Sequence, residues 1–227
     1  MVTAIILSGG TGSRVGLDIP KQYARISDKM IITYALMPFV SEPDITSIQI
    51  VCEPNYRDMI LEDVGDPAGI VWGFSLPGQT RQLSIYNALK DISDNMEPDD
   101  IVLIHDAARP NVSSQTIRAC IKACEDRDGA LPVIPMKDTV YYSENGERAD
   151  KLIPRNKLFA GQTPEAFKFG KYLSACKSLL PDEILNVSGS SEPAIISGMD
   201  IAMIPGDEKN YKITTPEDFE RYRNFKA

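Results

Sequence analysis

Strand-length apolar runs alternate with segments of helical spacing along most of this chain of 227 residues. The expected strands are residues 2–7, 47–52, 70–74, 101–105, 130–134 and 201–205. The expected helices are residues 31–40, 56–63, 80–89, 113–125, 164–180 and 216–224. This alternation predicts right-handed βαβ units. We therefore expect an α/β fold, a three-layer sandwich with a mostly parallel twisted sheet, built as a single domain over residues 1–227.

The composition limits the classes of partner. The formal net charge is −8 at pH 7, which argues against a protein that coats nucleic acid. No apolar run approaches the roughly 20 residues of a membrane span, and there is no signal-peptide pattern. We expect a cytoplasmic protein with neither nucleic acid nor membrane as a partner. The four cysteines lack the pairing of a zinc site and are expected to be buried free thiols: Cys52, Cys120, Cys124 and Cys176.

The first strand runs directly into a glycine-rich loop, Ser8-Gly9-Gly10-Thr11-Gly12-Ser13-Arg14, and Pro20-Lys21-Gln22 follows. Glycines let a backbone turn tightly and bring its N–H groups close to an anion. In Rossmann-like sheets ligands bind beyond the carboxyl ends of the strands, where this loop lies. The loop therefore predicts a polyphosphate site, with a plain glycine turn as the alternative. It lacks the Gly-Lys-Ser/Thr ending of a P-loop, and Val15 replaces the third glycine of a dinucleotide fingerprint.

Three further polar segments lie at the ends of predicted elements. In His105-Asp106-Ala107-Ala108-Arg109-Pro110, Asp106 is placed to hold Mg²⁺ together with substrate phosphates; helix capping is the alternative. In the stretch 155–165, ordinary capping by Thr163 is the alternative to a ligand contact. In Asn210-Tyr211-Lys212, a solvated surface lysine is the default interpretation of Lys212. His105 is the only histidine, so no catalytic couple can be built around a second one.

Residues 138–156 interrupt the alternation. A strand-like run from Thr139 ends in Asn145-Gly146, a strong hairpin signal. The segment is polar beyond Tyr141 and Tyr142, and an isolated hairpin is at best marginally stable. We therefore expect an arm that packs on a second subunit, in a homodimer.

Together these segments resemble the cytidylyltransferases that make CDP-alditols, a family with a methylerythritol-phosphate and a ribitol-phosphate branch. The resemblance runs from Ala4 to about Arg221. Each motif alone is weak evidence for this family, but seven motifs in the same order along one chain are specific to it. They are Gly-Gly-Thr-Gly-Ser-Arg at 9–14, Pro-Lys-Gln-Tyr at 20–23, Gly-Gln-Thr-Arg at 78–81, His-Asp-Ala-Ala-Arg-Pro at 105–110, Lys-Asp-Thr at 137–139, Gly-Gln-Thr-Pro at 161–164 and Lys-Ile-Thr-Thr-Pro-Glu-Asp at 212–218.

The resemblance implies a nucleotidyltransferase that uses CTP and a polyol phosphate, with Mg²⁺ carried by the CTP. It implies that Arg14, Lys21 and Lys212 are catalytic and surround the α-phosphate and the leaving pyrophosphate. The CTP-binding residues that it implies are Ser8, Gly9, Gly10, Thr11, Gly12, Ser13, Gly78, Gln79, Arg81, Ser84 and Asp106, the last also near the metal. The acceptor-binding residues that it implies are Arg109, Thr139, Arg155, Thr163 and Ser188. In the family, the arm brings the Arg155 equivalent into the partner subunit's acceptor site.

The sequence gives mixed signals about the acceptor. Aligned on Gly198, residues 188–192 read Ser-Gly-Ser-Ser-Glu where the methylerythritol branch has Thr-Asp-Asp/Glu-Ala-Ser. Residues 97–101, 153–164 and 183–185 look more like the ribitol branch, whereas the motif at 105–110 looks like the methylerythritol branch. Since a site that hydrogen-bonds substrate hydroxyls discriminates strongly between polyols, the interpretation leans slightly to ribitol 5-phosphate, giving CDP-ribitol. The alternative is 2-C-methyl-D-erythritol 4-phosphate.

Two other classes fit parts of the sequence. One is a non-catalytic nucleotide-binding protein on the same fold, against which the joint presence of Arg14, Lys21 and Lys212 argues. The other is a Rossmann-type oxidoreductase, which needs an acidic residue about 20 residues after the loop. Asp28 is too near and Glu42 too far. Pyrophosphate release from CTP and a titration with NADH separate these classes.

Overall fold

A computed structural model describes residues 1–10, 19–65 and 70–226. The strands in these ranges are β1 Val2–Leu7, β2 Arg25–Ile26, β3 Lys29–Met30, β4 Ser47–Val51, β5 Val71–Ser75, β6 Ile101–Asp106, β7 Gly129–Pro135, β8 Val140–Tyr142, β9 Lys151–Ile153, β10 Phe159–Gly161, β11 Glu165–Lys168 and β12 Ile201–Pro205. The helices are α1 Ile31–Val40, α2 Arg57–Val64, α3 Arg81–Ile92, α4 Ser114–Ala123, α5 Phe169–Ser178, α6 Glu192–Ile196 and α7 Pro216–Lys226. Short 3₁₀ turns cover Lys21–Tyr23, Pro54–Tyr56, Ser93–Asn95, Arg155–Lys157 and Glu183–Asn186.

The central sheet has the strand order β10-β7-β11-β6-β1-β4-β5, and β12 pairs with β7. β1 is parallel to β4 and β6, β4 is parallel to β5, and β7 is parallel to β12. β11 runs antiparallel to both of its neighbours, β6 and β7, and β10 is antiparallel to β7. The expected mostly parallel α/β sheet is confirmed.

Helices cover both faces of the sheet, which explains why the central strands are mostly apolar. Along β1, Ala4 and Ile6 point into the core with α1 and α4, while Ile5 points into the core with α3 and α5. In β6, Leu103 belongs to the first core and Ile104 to the second. Successive side chains of a strand point to opposite faces, so a strand buried on both sides is apolar at most of its successive positions.

The ends of the helices follow from local sequence. The side chain of Thr80 caps α3 by accepting from the N–H of Leu83, and Ser113 caps α4 in the same way through Thr116. The four cysteines are free and buried, as expected. No helix within the described ranges is long and apolar enough to cross a lipid bilayer.

The prediction of one helix over 164–180 is wrong at its start. Residues Glu165–Lys168 form β11, and α5 begins only at Phe169. Phe167 of β11 stacks on Tyr172 of α5 with ring centroids 4.1 Å apart, which packs the strand against the helix that follows it. The strand forms because β6 and β7 each leave an edge unpaired and the backbone of β11 bonds to both.

The predicted hairpin is present as a separate two-stranded sheet, in which β8 and β9 pair antiparallel with Tyr141 opposite Leu152. Asn145-Gly146 does not form a two-residue turn, because it lies within the longer connection 143–150. There the N–H of Gly146 donates to Ser143 Oγ, and Gly146 takes a φ of 77° that favours glycine. The side chains of Tyr141 and Leu152 are about 60% exposed (61% and 59%), so the arm presents an uncovered apolar surface.

Candidate active site

A cavity of about 560 Å³ opens at the carboxyl ends of β1, β4 and β6. Nine residues expected to be catalytic or to bind CTP line it: Gly9, Gly10, Lys21, Gly78, Gln79, Arg81, Ser84, Asp106 and Lys212. Ser8 is buried just behind them. The predictions for Thr11, Gly12, Ser13 and Arg14 lie outside the described residues. The structure therefore brings residues from five separate segments of the chain to one cavity.

The described part of the glycine-rich loop is held by the 3₁₀ turn that follows it. Gln22 Nε2 donates to the carbonyls of Ser8 and Gly10, at 2.7 Å each. The Ser8 hydroxyl donates to the hydroxyl of Tyr23 at 2.8 Å. Gly9 faces the loop after β5 so closely that a Cβ at this position would lie 2.5 Å from Pro77 Cβ. These contacts fix the loop at the mouth of the cavity and bring Lys21 of the turn to its wall.

The opposite wall is the start of α3. The N–H of Gly78 donates to Ser84 Oγ at 3.0 Å, and the Ser84 hydroxyl donates to the carbonyl of Thr80 at 2.9 Å. A Cβ on Gly78 would lie 2.5 Å from Leu83 Cβ. Glycine is required here because the backbone itself rests against the first turn of the helix.

Asp106 is the electrostatic centre of the site. Its carboxylate lies 3.0 Å from Arg81 Nη2, 3.0 Å from Lys212 Nζ and 3.5 Å from Arg109 Nε, the last without hydrogen-bond geometry. Burial alone would raise the pKa of Asp106, but the cations Arg81, Lys212 and Arg109 together lower it well below its usual range. The group is therefore an ionised carboxylate that gathers three cations, and it caps no helix, since α4 begins at Ser114.

Positive charge exceeds negative charge at this wall. Arg81, Lys21 and Lys212 all line the cavity, whereas Asp106 is its only carboxylate among the described residues. A second acid, Glu165 of β11, is buried close to Arg81, and burial raises its pKa to about 7. Sequence reasoning missed Glu165 because its segment was expected to be helical. The cavity is suited to a polyanion.

Behind Asp106, buried side chains join the end of β6 to two loops. His105 Nε2 lies 3.1 Å from the carbonyl of Arg109, and its Nδ1 lies 3.1 Å from Thr163 Oγ1. Asn210 Nδ2 donates to the carbonyl of Thr163 at 2.7 Å. Burial lowers the pKa of His105 to about 4, so the ring is neutral. The sequence indicates no role for Asn210, because a contact with a distant backbone group leaves no local signal.

The side chain of Gln162 joins the segment before β11 to the loop that contains Asp207. Its side chain donates to the carbonyl of Asp207 at 2.8 Å and accepts from the N–H of that residue at 3.0 Å. Arg109 Nη1 in turn donates to the carbonyl of Asn210 at 2.8 Å. Thr163 is fully engaged here and caps no helix, because β11 and not a helix follows it. Arg109 and Thr163 are therefore brought together beside Asp106.

The other residues expected to bind the acceptor lie apart from this cavity in the described structure. Thr139 and Arg155 are exposed at the arm, where Arg155 Nη1 donates to the carbonyl of Lys137 at 2.5 Å. Ser188 is exposed before α6, and its N–H donates to Glu192 at 2.8 Å. A single subunit therefore brings together most of the residues expected to bind CTP, but only two of those expected to bind the acceptor, Arg109 and Thr163.

Few of the described side chains at this site could be ligands for a metal ion. Within the described ranges, no group of three His, Cys, Asp or Glu side chains could hold an ion. Mg²⁺ needs only one or two carboxylates when substrate phosphates supply its other oxygen ligands. Asp106 fits that limited role, although both of its oxygens already face cations. The site suits a metal that arrives on a polyphosphate.

Comparison with known proteins decides the family. Residues 2–224 match the family model described as IspD, 2-C-methyl-D-erythritol 4-phosphate cytidylyltransferase. The chain belongs to this cytidylyltransferase family. The structure agrees: 2-C-methyl-D-erythritol 4-phosphate cytidylyltransferase of Francisella tularensis superimposes with a TM-score of 0.83 at 27% identity, covering 100% of this chain and 99% of that one.

Curated relatives within the cytidylyltransferase family carry different names. Ribitol-5-phosphate cytidylyltransferase of Lacticaseibacillus paracasei is 31% identical, over 99% of this chain and 97% of its own length. 2-C-methyl-D-erythritol 4-phosphate cytidylyltransferase of Geotalea uraniireducens is 32% identical, over 96% and 93%. The bifunctional enzyme IspD/IspF of Paramagnetospirillum magneticum is 34% identical, but this chain spans only 55% of its length. Overall identity does not separate the two acceptors.

Proposed function

We propose that this chain transfers CMP from CTP to a polyol phosphate and releases pyrophosphate. The observation that carries the proposal is the ionised Asp106 with Arg81, Arg109 and Lys212 around it, on the wall of a cavity that also holds Lys21 and the glycine-rich loop. Family membership supports the reaction type.

The chemistry needs positioning and charge neutralisation. An oxygen of the acceptor's phosphate attacks the α-phosphorus of CTP and forms a new P–O bond. The bond from the α-phosphorus to the bridging oxygen breaks, and its electron pair leaves with pyrophosphate. Both reactants are anions, so Lys21 and Lys212 lower the barrier by neutralising charge on the α-phosphate and the leaving group. Arg14 is proposed to act with them.

No general base is required, because a phosphate monoester is already ionised at neutral pH. The only histidine is consistent with this. His105 is fully buried behind Asp106 and does not line the cavity. Mg²⁺ is proposed to enter bound to the CTP phosphates, where it would supply further charge neutralisation, with Asp106 beside it.

For the nucleotide, we propose that the segment from Gly78 to Ser84 reads the base. Gly78 cannot carry a side chain, and its N–H is held by Ser84. The exposed Gln79 and the neighbouring Thr80 complete this wall. Because Ser84 holds the backbone at Gly78 in place, the remaining polar groups of this segment are fixed and can match the hydrogen-bonding edge of one base while leaving another base unpaired.

For the acceptor, we propose ribitol 5-phosphate, with 2-C-methyl-D-erythritol 4-phosphate as the second candidate. The first is supported by the residues at 97–101, 153–164 and 183–185, and by a relative that matches almost end to end. The second is supported by the motif at 105–110, by the family model and by a relative that also matches over almost its whole length.

We further propose a homodimer formed through the arm. The apolar residues of β8 and β9 are exposed, and the arm forms its own small sheet. A two-stranded sheet needs a surface to pack on. Because Thr139 and Arg155 lie at this arm, a dimer would supply the acceptor contacts that one subunit leaves apart.

A pyrophosphate-release assay tests the proposal. CTP is presented with ribitol 5-phosphate, 2-C-methyl-D-erythritol 4-phosphate and related polyol phosphates, with ATP, GTP and UTP as nucleotide controls. Release with CTP and one polyol phosphate, with the CDP-alditol confirmed by mass spectrometry, is the expected result. No release with any polyol phosphate, although CTP raises the melting temperature, would favour a non-catalytic nucleotide-binding protein.

A further inference from the structure

The segment that leads from β5 to α3 is tied to one face of that helix. Ser84, Asn87 and Asp91 follow one another at spacings of three and four residues, so their side chains lie in one row along α3. These three residues form a polar stripe. Ser84 holds the N–H of Gly78 at the wall of the described cavity, which neither Asn87 nor Asp91 lines. Asn87 and Asp91 therefore have no direct part in the proposed nucleotide contacts.

Asn87 and Asp91 hold the part of the segment that precedes Gly78. Asn87 Nδ2 donates to the carbonyl of Leu76 at 3.1 Å, and the hydroxyl of Ser75 donates to Asp91 Oδ2 at 2.6 Å. Along the helix, the three members of the stripe meet their partners in reverse order of the sequence. The segment is thus fastened to the polar stripe at three successive points where it passes the cavity.

A buried amide of the sheet extends the contact between Ser75 and Asp91. Gln49 of β4 is 7% exposed, and its Nε2 donates to Ser75 Oγ at 2.7 Å. Because the carboxylate of Asp91 can only accept, the hydroxyl of Ser75 gives its single proton to Asp91 and accepts from Gln49. Room for the amide comes from Gly73 of β5, where a Cβ would lie 1.9 Å from Gln49 Oε1. Asp91 is thus joined through Ser75 to the interior of the sheet.

The stability of α3 itself does not explain the polar stripe. Asp91 lies in the last turn of the helix, where the helix dipole disfavours a negative charge. Asn87 is a weak helix former, because its side chain competes for backbone groups outside helices. Another face fixes the helix, since Ile85 and Leu89 are fully buried in the core. A change in the stripe therefore moves the tied segment and leaves α3, with Arg81 at its start, in place.

We propose that Asn87 and Asp91 are positioning residues that hold the segment before α3 in the geometry that reads the base, and that they thereby set the preference for CTP over UTP. The inference rests on the proposed function for the identity of the nucleotide. Cytosine carries an amino donor where uracil carries a carbonyl acceptor, so a wall held in one geometry can match one base and leave the other unpaired. A segment released from the stripe loses this fixed match, which weakens the binding of CTP more than that of UTP.

The ratio of the two affinities isolates this effect from the phosphate side of the site. Pro77 of the same segment faces Gly9 of the glycine-rich loop, where a Cβ on Gly9 would lie 2.5 Å from Pro77 Cβ. A shift at that contact acts on every nucleoside triphosphate alike, because the phosphates of CTP and UTP are the same. A change in the ratio of the Kd of UTP to the Kd of CTP therefore reports on the base alone.

Titration calorimetry with CTP and with UTP, each without an acceptor, tests the proposal. Asn87→Asp keeps the size of the side chain but replaces the donor to the carbonyl of Leu76 by a second acceptor, and Asn87→Ala only removes the donor. We expect the Kd of CTP to rise about tenfold or more in Asn87→Asp, the scale of one lost hydrogen bond. The rise should be smaller in Asn87→Ala, and the Kd of UTP should change by less than about twofold in both variants.

Asp91 supplies a second pair of variants. Asp91→Asn keeps an oxygen that accepts from Ser75, so it should preserve the wild-type ratio of the two Kd values. Asp91→Ala removes the acceptor and should lower the ratio about threefold or more, although alanine is the better helix former. Lys90→Ala is the matched control, because Lys90 is an exposed residue of the same helix outside the stripe. It should bind both nucleotides as the wild type does.

Two results would overturn the proposal. Equal weakening of CTP and UTP would mean that the stripe acts on the phosphate side or on the whole fold. An unchanged ratio in Asn87→Asp and in Asp91→Ala would show that the stripe is merely structural. Should Asn87→Asp fail to fold, Asn87→Ala and Asp91→Ala decide between these results and the expected one.

The failure of the proposed function is a separate result. A wild-type protein that binds CTP more tightly than UTP, but releases no pyrophosphate with any polyol phosphate, would refute the transfer reaction alone. The titrations need no turnover and would still decide the role of Asn87 and Asp91. A wild-type protein that binds CTP and UTP equally well would overturn the inference, whatever reaction the site performs.

Discussion

Lys212 Nζ lies 3.0 Å from Asp106 Oδ2, so a lysine from the loop before the last helix is held at the end of a central strand. The lysine side chain is 38% exposed and the carboxylate 9%. The ammonium is thus anchored by Asp106 while it remains accessible to an anion in the cavity. This ion pair therefore joins two distant segments of the chain at the wall of the proposed phosphate site.

Lys212→Ala and Lys21→Ala are each expected to lower kcat by at least about a hundredfold, the scale of one lost charge stabiliser. Both lysines line the cavity where the pyrophosphate would leave. The measurement is steady-state pyrophosphate release with saturating CTP. Lys209→Ala, an exposed lysine in the same loop as Lys212, is the control and should keep wild-type turnover. Near-wild-type kcat in Lys212→Ala would remove this lysine from the mechanism.

Asp106→Asn is expected to destabilise the fold by about 3 kcal/mol, because removing one member of a buried charge cluster leaves uncompensated charge. Arg81, Arg109 and Lys212 would then repel one another. Urea unfolding measures the change, and added pyrophosphate should stabilise the variant more than the wild type. Asp200→Asn breaks an exposed pair with Arg127 and should change little. Equal stability of Asp106→Asn and wild type would contradict the electrostatic account.

Glu165→Gln tests the buried acid. Burial raises the folded pKa of Glu165 from 4.5 to about 7, so the native state keeps the proton to a higher pH than the unfolded state does. The protonated Glu165 therefore favours the folded state fully at a pH below the unfolded pKa of 4.5, and this contribution to the free energy of unfolding is lost as the pH rises through about 7. Because Gln cannot ionise, the melting temperature of Glu165→Gln minus that of the wild type should increase between pH 5 and pH 8.

The exposed acid Glu183 supplies the matched control. Glu183→Gln should follow the wild-type melting temperature across the same pH range. A constant difference between Glu165→Gln and wild type from pH 5 to pH 8 would show that Glu165 does not titrate in that interval.

The arm carries the predicted dimer. Replacing Tyr141 and Leu152 together by Ser should give a monomer by light scattering, because these opposed residues form its exposed apolar face. The variant should still bind CTP, measured by thermal shift, and should lose turnover with the acceptor. Glu147→Ser, in the polar connection of the arm, is the control. An unchanged mass for the double variant would place the interface elsewhere.

Gly78→Ala should raise the KM of CTP by about tenfold or more. Its Cβ would lie 2.5 Å from Leu83 Cβ and 2.8 Å from the Leu83 carbonyl carbon, so the loop must move away from α3. Gly161→Ala is the comparison, since its Cβ meets only Leu131 Cδ1 at 3.5 Å. It should leave the KM of CTP unchanged. Equal behaviour of the two variants would mean that the loop tolerates the shift.

The sequence could predict those parts of the fold that depend on local periodicity. α1 at Ile31–Val40 and β12 at Ile201–Pro205 have the predicted bounds, because each is a compact apolar segment with polar or turn residues around it. β11 and β10 could not be predicted. Their short segments are strands only because β7 and β6 offer unpaired edges, and those edges are formed by residues distant in the sequence.

In the site, too, local sequence indicated single motifs but not the contacts between distant segments. The Gly9–Pro77 contact and the pair of Asp106 with Lys212 join distant segments, and only the order of the motifs indicated that they belong together. Asn210 acts on backbone groups, so its role required the geometry. The structure gives the positions of the described site residues, but the roles assigned to all of them, including Thr139, Arg155 and Ser188, stay predictions.

β11 also has a consequence for the order in which the molecule is completed during synthesis. β1, β4, β5 and β6 can pair with one another as soon as residue 106 has emerged, but the free edge of β6 stays open until residues 165–168 arrive. An open strand edge is a template for wrong pairing between chains. A nascent chain that has passed Asp106 but not reached β11 is therefore the species most in need of protection.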